Sequence, residues 1–107
     1  MTDKIVILTT CGSVQEAERI ARSLVESRLA ACVNVLAGVR SFYRWKGAVE
    51  DTTEFLLLIK SSRDLFEAVH AELGKLHSYE LPEVIALPVV VGSEGYLAWI
   101  GQELRVP

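Results

Sequence analysis

Seven consecutive residues, His77-Ser78-Tyr79-Glu80-Leu81-Pro82-Glu83, bring together one imidazole, one phenol and two carboxylates. An imidazole beside carboxylates suits a borderline cation such as copper(II) or zinc. The spacing matches neither HExxH nor a CxxC-based zinc site. The plain reading of the same stretch is a loop in which Tyr79 and Glu83 hydrogen-bond while His77 closes a helix, well placed for its dipole. Two cysteines offer thiols, and neither belongs to a CxxC pair. Cys11, beside Gly12 ahead of a helix start, stands where a helix N-terminus favours thiolate, which makes it the better reactive thiol or metal ligand. Cys32 lies in an apolar run where desolvation disfavours thiolate, so it reads as a small buried hydrophobe.

A second constellation is Ser41-Phe42-Tyr43-Arg44-Trp45-Lys46-Gly47, in which aromatic and basic residues are interleaved. Such a pattern can stack on and neutralise a nucleic acid strand. Glu50, Asp51 and Glu54 follow directly, so cross-strand ion pairing, with the aromatics at a subunit contact, is the better use. Glycine-rich phosphate loops, a GxSxG elbow and an assembled triad are absent, and no organic cofactor is expected.

The elements that must position these groups follow from periodicity. Ile5 to Leu8 is a β-branched run that reads as a strand, with Thr9-Thr10-Cys11-Gly12 as its exit loop. Ser13-Val14-Gln15-Glu16 has the form of a capping box, and Ala17, Ile20, Ala21, Leu24 and Val25 then mark one face of a helix over 14–28. Leu29 to Leu36 is nearly all apolar, as a strand covered on both faces would be. Ala37-Gly38 suggests a bulge, Val39 to Trp45 resumes extended character, and Lys46-Gly47 marks a turn. Val49 to Ile59 returns, giving a long hairpin whose tip projects beyond the sheet. Ser61 or Ser62 caps a second helix that ends by His77. Glu83 to Val91 reads as a fourth strand with Pro88 on an edge or at a bulge, and Gly92-Ser93-Glu94-Gly95 opens a short last helix.

This order, β-α-β-β-α-β plus a helix, is the split βαβ, or ferredoxin-like, arrangement of an α+β domain spanning residues 1–107. Two helices cover one sheet face, and subunit packing is expected to hide the other. The chain has 107 residues, of which 50% are hydrophobic and 23% charged, with a formal net charge of -3. That balance excludes a disordered chain and makes nucleic acid a poor partner. No apolar stretch approaches the roughly 18 residues of a membrane span or the core of a signal peptide, so a cytoplasmic protein without membrane contact is expected.

Leu29-Ala30-Ala31-Cys32-Val33-Asn34, Gly38 to Gly47, Leu58-Ile59-Lys60, His77 to Glu83 and Tyr96-Leu97-Ala98-Trp99-Ile100 together resemble the successive signatures of the CutA family of divalent-cation tolerance proteins. The resemblance spans essentially the whole chain. It implies a cytoplasmic, homotrimeric, PII-like architecture and a non-catalytic role in divalent metal ion tolerance or response, with copper or another divalent cation as ligand. It maps onto Cys32, Trp45, Lys60, His77, Tyr79, Pro82 and Glu83, with Tyr96 and Trp99 in the last helix. Trp45, Lys60, Tyr79 and Glu83 become candidates for clefts between subunits, and His77 becomes the first metal ligand, followed by Cys32 and Cys11. Some relatives carry two adjacent histidines before the Tyr-x-x-Pro-Glu segment and a cysteine near the end of strand one, where this chain has Leu76-His77 and Thr9. The alternative is a PII-like sensor of a small anionic metabolite, with Lys60 and Arg44 as charge partners and Trp45 or Tyr79 stacking. A hydrolase of acylphosphatase type on the same fold is a weaker third reading, because no phosphate-cradling loop follows strand one.

Overall fold

The computed structural model describes residues 2–107. Its elements are β1 (Lys4–Cys11), α1 (Val14–Glu26), β2 (Cys32–Trp45), β3 (Ala48–Ser62), a 3-10 turn (Arg63–Leu65), α2 (Phe66–Leu76), β4 (Ile85–Pro88) and α3 (Glu94–Glu103). The four strands form one antiparallel sheet in the order β2-β3-β1-β4, the topology expected from the element order.

Strand β1 alternates strictly between the two faces. Ile5, Ile7, Thr9 and Cys11 are buried, and opposite them on β3 stand Ser61, Ile59, Leu57 and Phe55. Against this face pack Ala17, Ile20 and Leu24 of α1 with Val69 and Leu73 of α2, whereas Val25, expected on the same α1 face, is exposed at the helix end. Truncating a fully buried member such as Leu24 or Leu73 to alanine would cost about 2–5 kcal/mol, because the cavity left behind only partly relaxes.

The strand runs three residues further than expected. Thr9, Thr10 and Cys11 pair with Leu57, Leu56 and Phe55 rather than forming an exit loop, since β-branched threonines sit well on a pleated ladder. Cys11 is thereby corrected from a loop thiol to a fully buried strand residue. The fourth strand is shorter than expected. Only Ile85–Pro88 pairs with β1, and Pro88 closes it on the sheet edge, where its missing N–H costs nothing.

Capping also differs in detail. Ser13 Oγ accepts from Glu16 N–H at 3.2 Å, the expected first half of the box. The Glu16 carboxylate does not reach back. It accepts instead from the Ser78 N–H at 2.8 Å, tying the start of α1 to the loop after α2. Neither Ser61 nor Ser62 caps α2: a 3-10 turn intervenes, and Ser61 Oγ donates to the Leu29 carbonyl oxygen at 2.7 Å.

The hairpin β2–β3 leaves the sheet after Cys11 has met Phe55, and its pairing continues to Trp45 opposite Ala48. Lys46 and Gly47, with φ of 50° and 84°, close it as a two-residue turn of the mirror-image kind that matches strand twist. The molecule is accordingly elongated, 44 × 25 × 22 Å. An ion pair does cross this hairpin, but from Arg40, just outside the aromatic-basic segment, to Asp51, at 3.0 and 2.7 Å.

One extra residue at Ala37-Gly38 controls what the hairpin presents. Leu36 pairs with Leu56 but Val39 with Glu54, so β2 advances three residues while β3 advances two. Gly38 absorbs the bulge at φ 74°, a conformation that L side chains rarely adopt. Because strand side chains alternate, the slip moves the odd-numbered residues onto the face that even-numbered ones hold before it. Ser41, Tyr43 and Trp45 therefore share a face with Glu54.

The sheet face away from α1 and α2 carries Val6, Leu8, Leu36, Leu56, Leu58, Ile85 and Leu87. Helix α3 lies over one end of it. Lys60 Nζ donates to Tyr96 Oη at 3.1 Å, the Lys4 side chain reaches Gly101, and Ile100 is buried. Arg28 sets the end of α3 by donating to the carbonyl oxygens of Glu103 and Gln102 at 2.9 and 2.8 Å. The rest of the face is open, with Leu36, Ile85 and Leu87 each 40% or more exposed. No helix among the described residues is long and apolar enough to cross a membrane.

Candidate functional site

The projecting part of the hairpin and the loop after α2 flank an open cavity of about 580 Å3. The hairpin contributes Tyr43, Trp45 and Glu54, β1 contributes Thr10, and the loop contributes Tyr79, Glu80 and Glu83. Each arrives by a traceable route. The bulge turns Tyr43 and Trp45 inward, and the long β1 brings Thr10 to the cavity floor.

The loop is held by His77. Its Nε2 lies 2.7 Å from the Thr10 carbonyl oxygen, and its Nδ1 accepts from the Tyr79 N–H at 3.1 Å. Those two bonds are compatible when the ring carries its proton on Nε2. The rings of His77 and Tyr79 lie 4.7 Å apart, and Glu16 fixes the intervening Ser78 N–H. Arg19 adds a bond to the Leu76 carbonyl oxygen at 3.3 Å.

At the cavity wall Tyr79 Oη donates to Glu54 Oε2 at 2.7 Å. Glu54 is only 5% exposed. Burial, then the bond to Glu54 and its negative charge, push the Tyr79 phenol well above the ordinary tyrosine range. On the outer side Lys46 Nζ stands 3.7 Å from Glu80 Oε2 and 5.7 Å from the Trp45 ring, linking hairpin tip to loop.

The candidate residues thus fall into separate places. Trp45, Tyr79 and Glu83 line one cavity within the protomer. Lys60 does not join them. It stands opposite Cys32 at the far end of β3, 12 residues from Trp45's partner Ala48, or about 40 Å of extended strand. There its ammonium lies 5.3 Å from the Tyr96 ring centroid, and the hydrogen bond to Tyr96 raises its pKa.

Cys32 is half-buried on the open sheet face rather than sealed in the core, because its pairing with Lys60 places it opposite the helix layer. Cys11 is the sealed one. Burial first, and the nearby Glu16 carboxylate second, push its thiol up, which reverses the expected thiolate. Among the described residues no three of His, Cys, Asp and Glu are grouped closely enough to hold a metal ion.

Glu54 is the member that the local sequence hides, since it resembles its hairpin neighbours Glu50 and Asp51. The alternation Glu54, Leu56, Leu58, Lys60 puts this carboxylate in line with an apolar row, but on the face left open by α1 and α2, so the contact that covers it, from Tyr79 of a distant loop, has no local signal.

Comparison with known proteins agrees with this architecture. Residues 5–103 match the family model described as CutA1 divalent ion tolerance protein. The divalent-cation tolerance protein CutA of Thermus thermophilus is 44% identical over 95 residues, covering 89% of this chain and 92% of that protein. Human protein CutA is 45% identical over 93 residues, covering 87% of this chain; the match spans about half, 52%, of the human protein. The crystal structure of CutA from Xylella fastidiosa superposes with a TM-score of 0.94 at 46% identity, covering 97% of this chain and 100% of that one.

Proposed function

Because the chain belongs to the CutA1 divalent ion tolerance family, we propose that it serves divalent-cation tolerance as a non-catalytic homotrimer responding to cations such as copper. The family description names tolerance rather than a reaction. The observation that carries the assembly is the open sheet face. Leu36, Ile85 and Leu87 lie exposed beside Val6, Leu8, Leu56 and Leu58, and stable association removes such apolar area from water. Residues 1–107 act as one folded unit in this reading, PII-like in its packing of sheets. Two free cysteines, Cys11 and Cys32, accord with a reducing, cytoplasmic setting.

Among the described residues of one protomer a cation finds no ready cage. His77 is the strongest imidazole candidate, and ligation would displace its bond to Thr10 or to Tyr79. Cys32 offers the accessible thiol and Cys11 the sealed one. Ligands drawn from more than one subunit reconcile this arrangement with the family's role. Calorimetric titration of copper(II) and zinc into the metal-free protein, with His77→Ala and Cys32→Ser as controls, tests the cation clause. Absence of saturable binding near neutral pH would remove it. Light scattering tests the assembly separately, and a monomer at micromolar concentration would overturn the trimer.

The alternative of a PII-like sensor for a small anionic metabolite draws support from the aromatic cavity, which holds both Trp45 and Tyr79. Its proposed charge partners lie elsewhere. Arg44 sits on the opposite hairpin face from Trp45 by strand alternation, and Lys60 is at the other end of β3.

A further inference from the structure

We infer that the cavity between hairpin and loop is unfinished in one protomer and is completed in the assembly by Lys60 of the partner subunit, whose ammonium pairs with the buried Glu54 carboxylate. This contact presupposes the homotrimer proposed above and gives it one specific link. By alternation along β3, Glu54, Leu56, Leu58 and Lys60 stand in line on the sheet face that α1 and α2 leave open. Val6, Leu8 and Leu36 lie beside the two leucines on the adjoining strands.

The row is apolar in the middle and charged at both ends. At one end Glu54 is 5% exposed. Within the protomer its carboxylate takes a hydrogen bond from the neutral Tyr79 phenol and joins no ion pair among the described residues. At the other end Lys60 is half-buried, and its ammonium donates to the neutral Tyr96 hydroxyl at 3.1 Å. It too joins no ion pair among the described residues. Along β3 the two lie about 20 Å apart, so they cannot meet within one chain.

A subunit packed on the apolar row takes water from both ends at once. Burying either charge alone is expensive, and burying the two against each other offsets much of that cost. Setting the Lys60 end of one copy on the Glu54 end of the next makes a heterologous contact, the kind that closes into a ring. Around a ring each copy gives one lysine and receives one, so neither charge is left over. Other bases are less suited. Lys4, on the same face, already pairs with Asp3 at 2.6 Å, and Lys46 at the turn with Glu80 at 3.7 Å. Arg40 and Arg44 lie on the opposite face of the hairpin. The assembled cavity thereby gains a base that the lining from one protomer lacks.

Dissociation in urea, an uncharged denaturant, tests the pairing, with light scattering for assembly and circular dichroism for folding. Glu54→Gln keeps an acceptor for Tyr79, and Lys60→Met keeps most of the lysine stem, so both protomers should fold. Each variant alone is expected to raise the dissociation constant about tenfold or more, because the other charge is left buried and unpaired. Combined, the two should weaken the trimer no more than either does alone. Where dissociation and unfolding coincide, the urea midpoint at fixed protein concentration gives the same comparison. Glu83→Gln with Lys60→Met is the control and should give additive losses. Additive losses for Glu54 with Lys60, or non-additive ones for Glu83 with Lys60, would overturn the pairing while the trimer stands. A wild-type monomer would overturn the trimer itself, and the pairing with it.

Discussion

Tyr79 Oη donates a 2.7 Å hydrogen bond to Glu54 Oε2, joining two residues that lie 25 positions apart in the chain. This bond closes the hairpin against the loop after α2 and forms the wall of the cavity. It also couples the loop to the sheet, because the Tyr79 N–H is held in turn by His77 and through it by Thr10.

Tyr79→Phe should therefore destabilise the protein by about 1–3 kcal/mol, since the buried carboxylate loses its donor. Chemical denaturation measures the loss. The phenol's pKa is raised in the folded state, so the fold holds this proton more tightly than the unfolded chain does. The associated stability is fully present below the ordinary tyrosine value of about 10 and declines as pH rises above it. In an alkaline absorbance titration the last tyrosinate step should disappear in Tyr79→Phe.

His77→Ala removes two bonds that anchor the loop, to Thr10 and to the Tyr79 amide. A loss of about 1–2 kcal/mol is expected, on the scale of ordinary hydrogen bonds. Amide hydrogen exchange should speed up most at Tyr79, while the amides of β1 and β3 keep their protection. Uniform acceleration throughout would show instead that the loop and sheet open together.

Cys11 is fully buried with its thiol pushed up, so it should resist alkylation in the native protein. Cys32→Ser isolates it. That variant should show no fast labelling by a thiol reagent at neutral pH and one full equivalent after denaturation. Fast native labelling would mean that the end of β1 opens locally.

Gly38 carries the bulge that turns Tyr43 and Trp45 into the cavity. Gly38→Val places a β-branched residue at positive φ and should cost about 1–2 kcal/mol or more. Gly38→Asn, which tolerates that region, should cost less. Nothing lies within 4 Å of the added Cβ, so the difference between the variants isolates backbone strain from crowding.

Leu87 stands half exposed on the open sheet face at the edge strand. Leu87→Asp should leave the protomer folded yet shift the proposed trimer towards monomer, because a carboxylate resists burial in an apolar contact. Light scattering alongside circular dichroism separates assembly from folding. An unchanged trimer would locate the subunit contact elsewhere.

Much of the fold was legible because it rests on local patterns. The stripe Ala17, Ile20 and Leu24, the Ser13 cap and the turn at Lys46-Gly47 all perform as their spacing suggests. Boundaries were less so. β1 runs on to Cys11 because its partner β3 is long enough to pair with it, which is a property of two strands rather than one. The site was half legible. Within one protomer Trp45, Tyr79 and Glu83 line the same cavity and Lys60 lies far from it, while Glu54 went unsingled because an acidic hairpin residue looks the same whether solvated or buried.

By itself, then, the sequence determined the periods, the order of elements and the surplus of apolar residues on the strands, and these specify a ferredoxin-like sheet with one face left open. Those features depend on side-chain spacing within single elements. Tertiary structure alone decided which polar groups meet: Glu54 with Tyr79, Glu16 with the Ser78 amide, Lys60 with Tyr96. Such pairings depend on strand register, and each residue of slip moves a side chain to the opposite face. The single extra residue at Gly38 is where that register is set, and with it the character of the cavity.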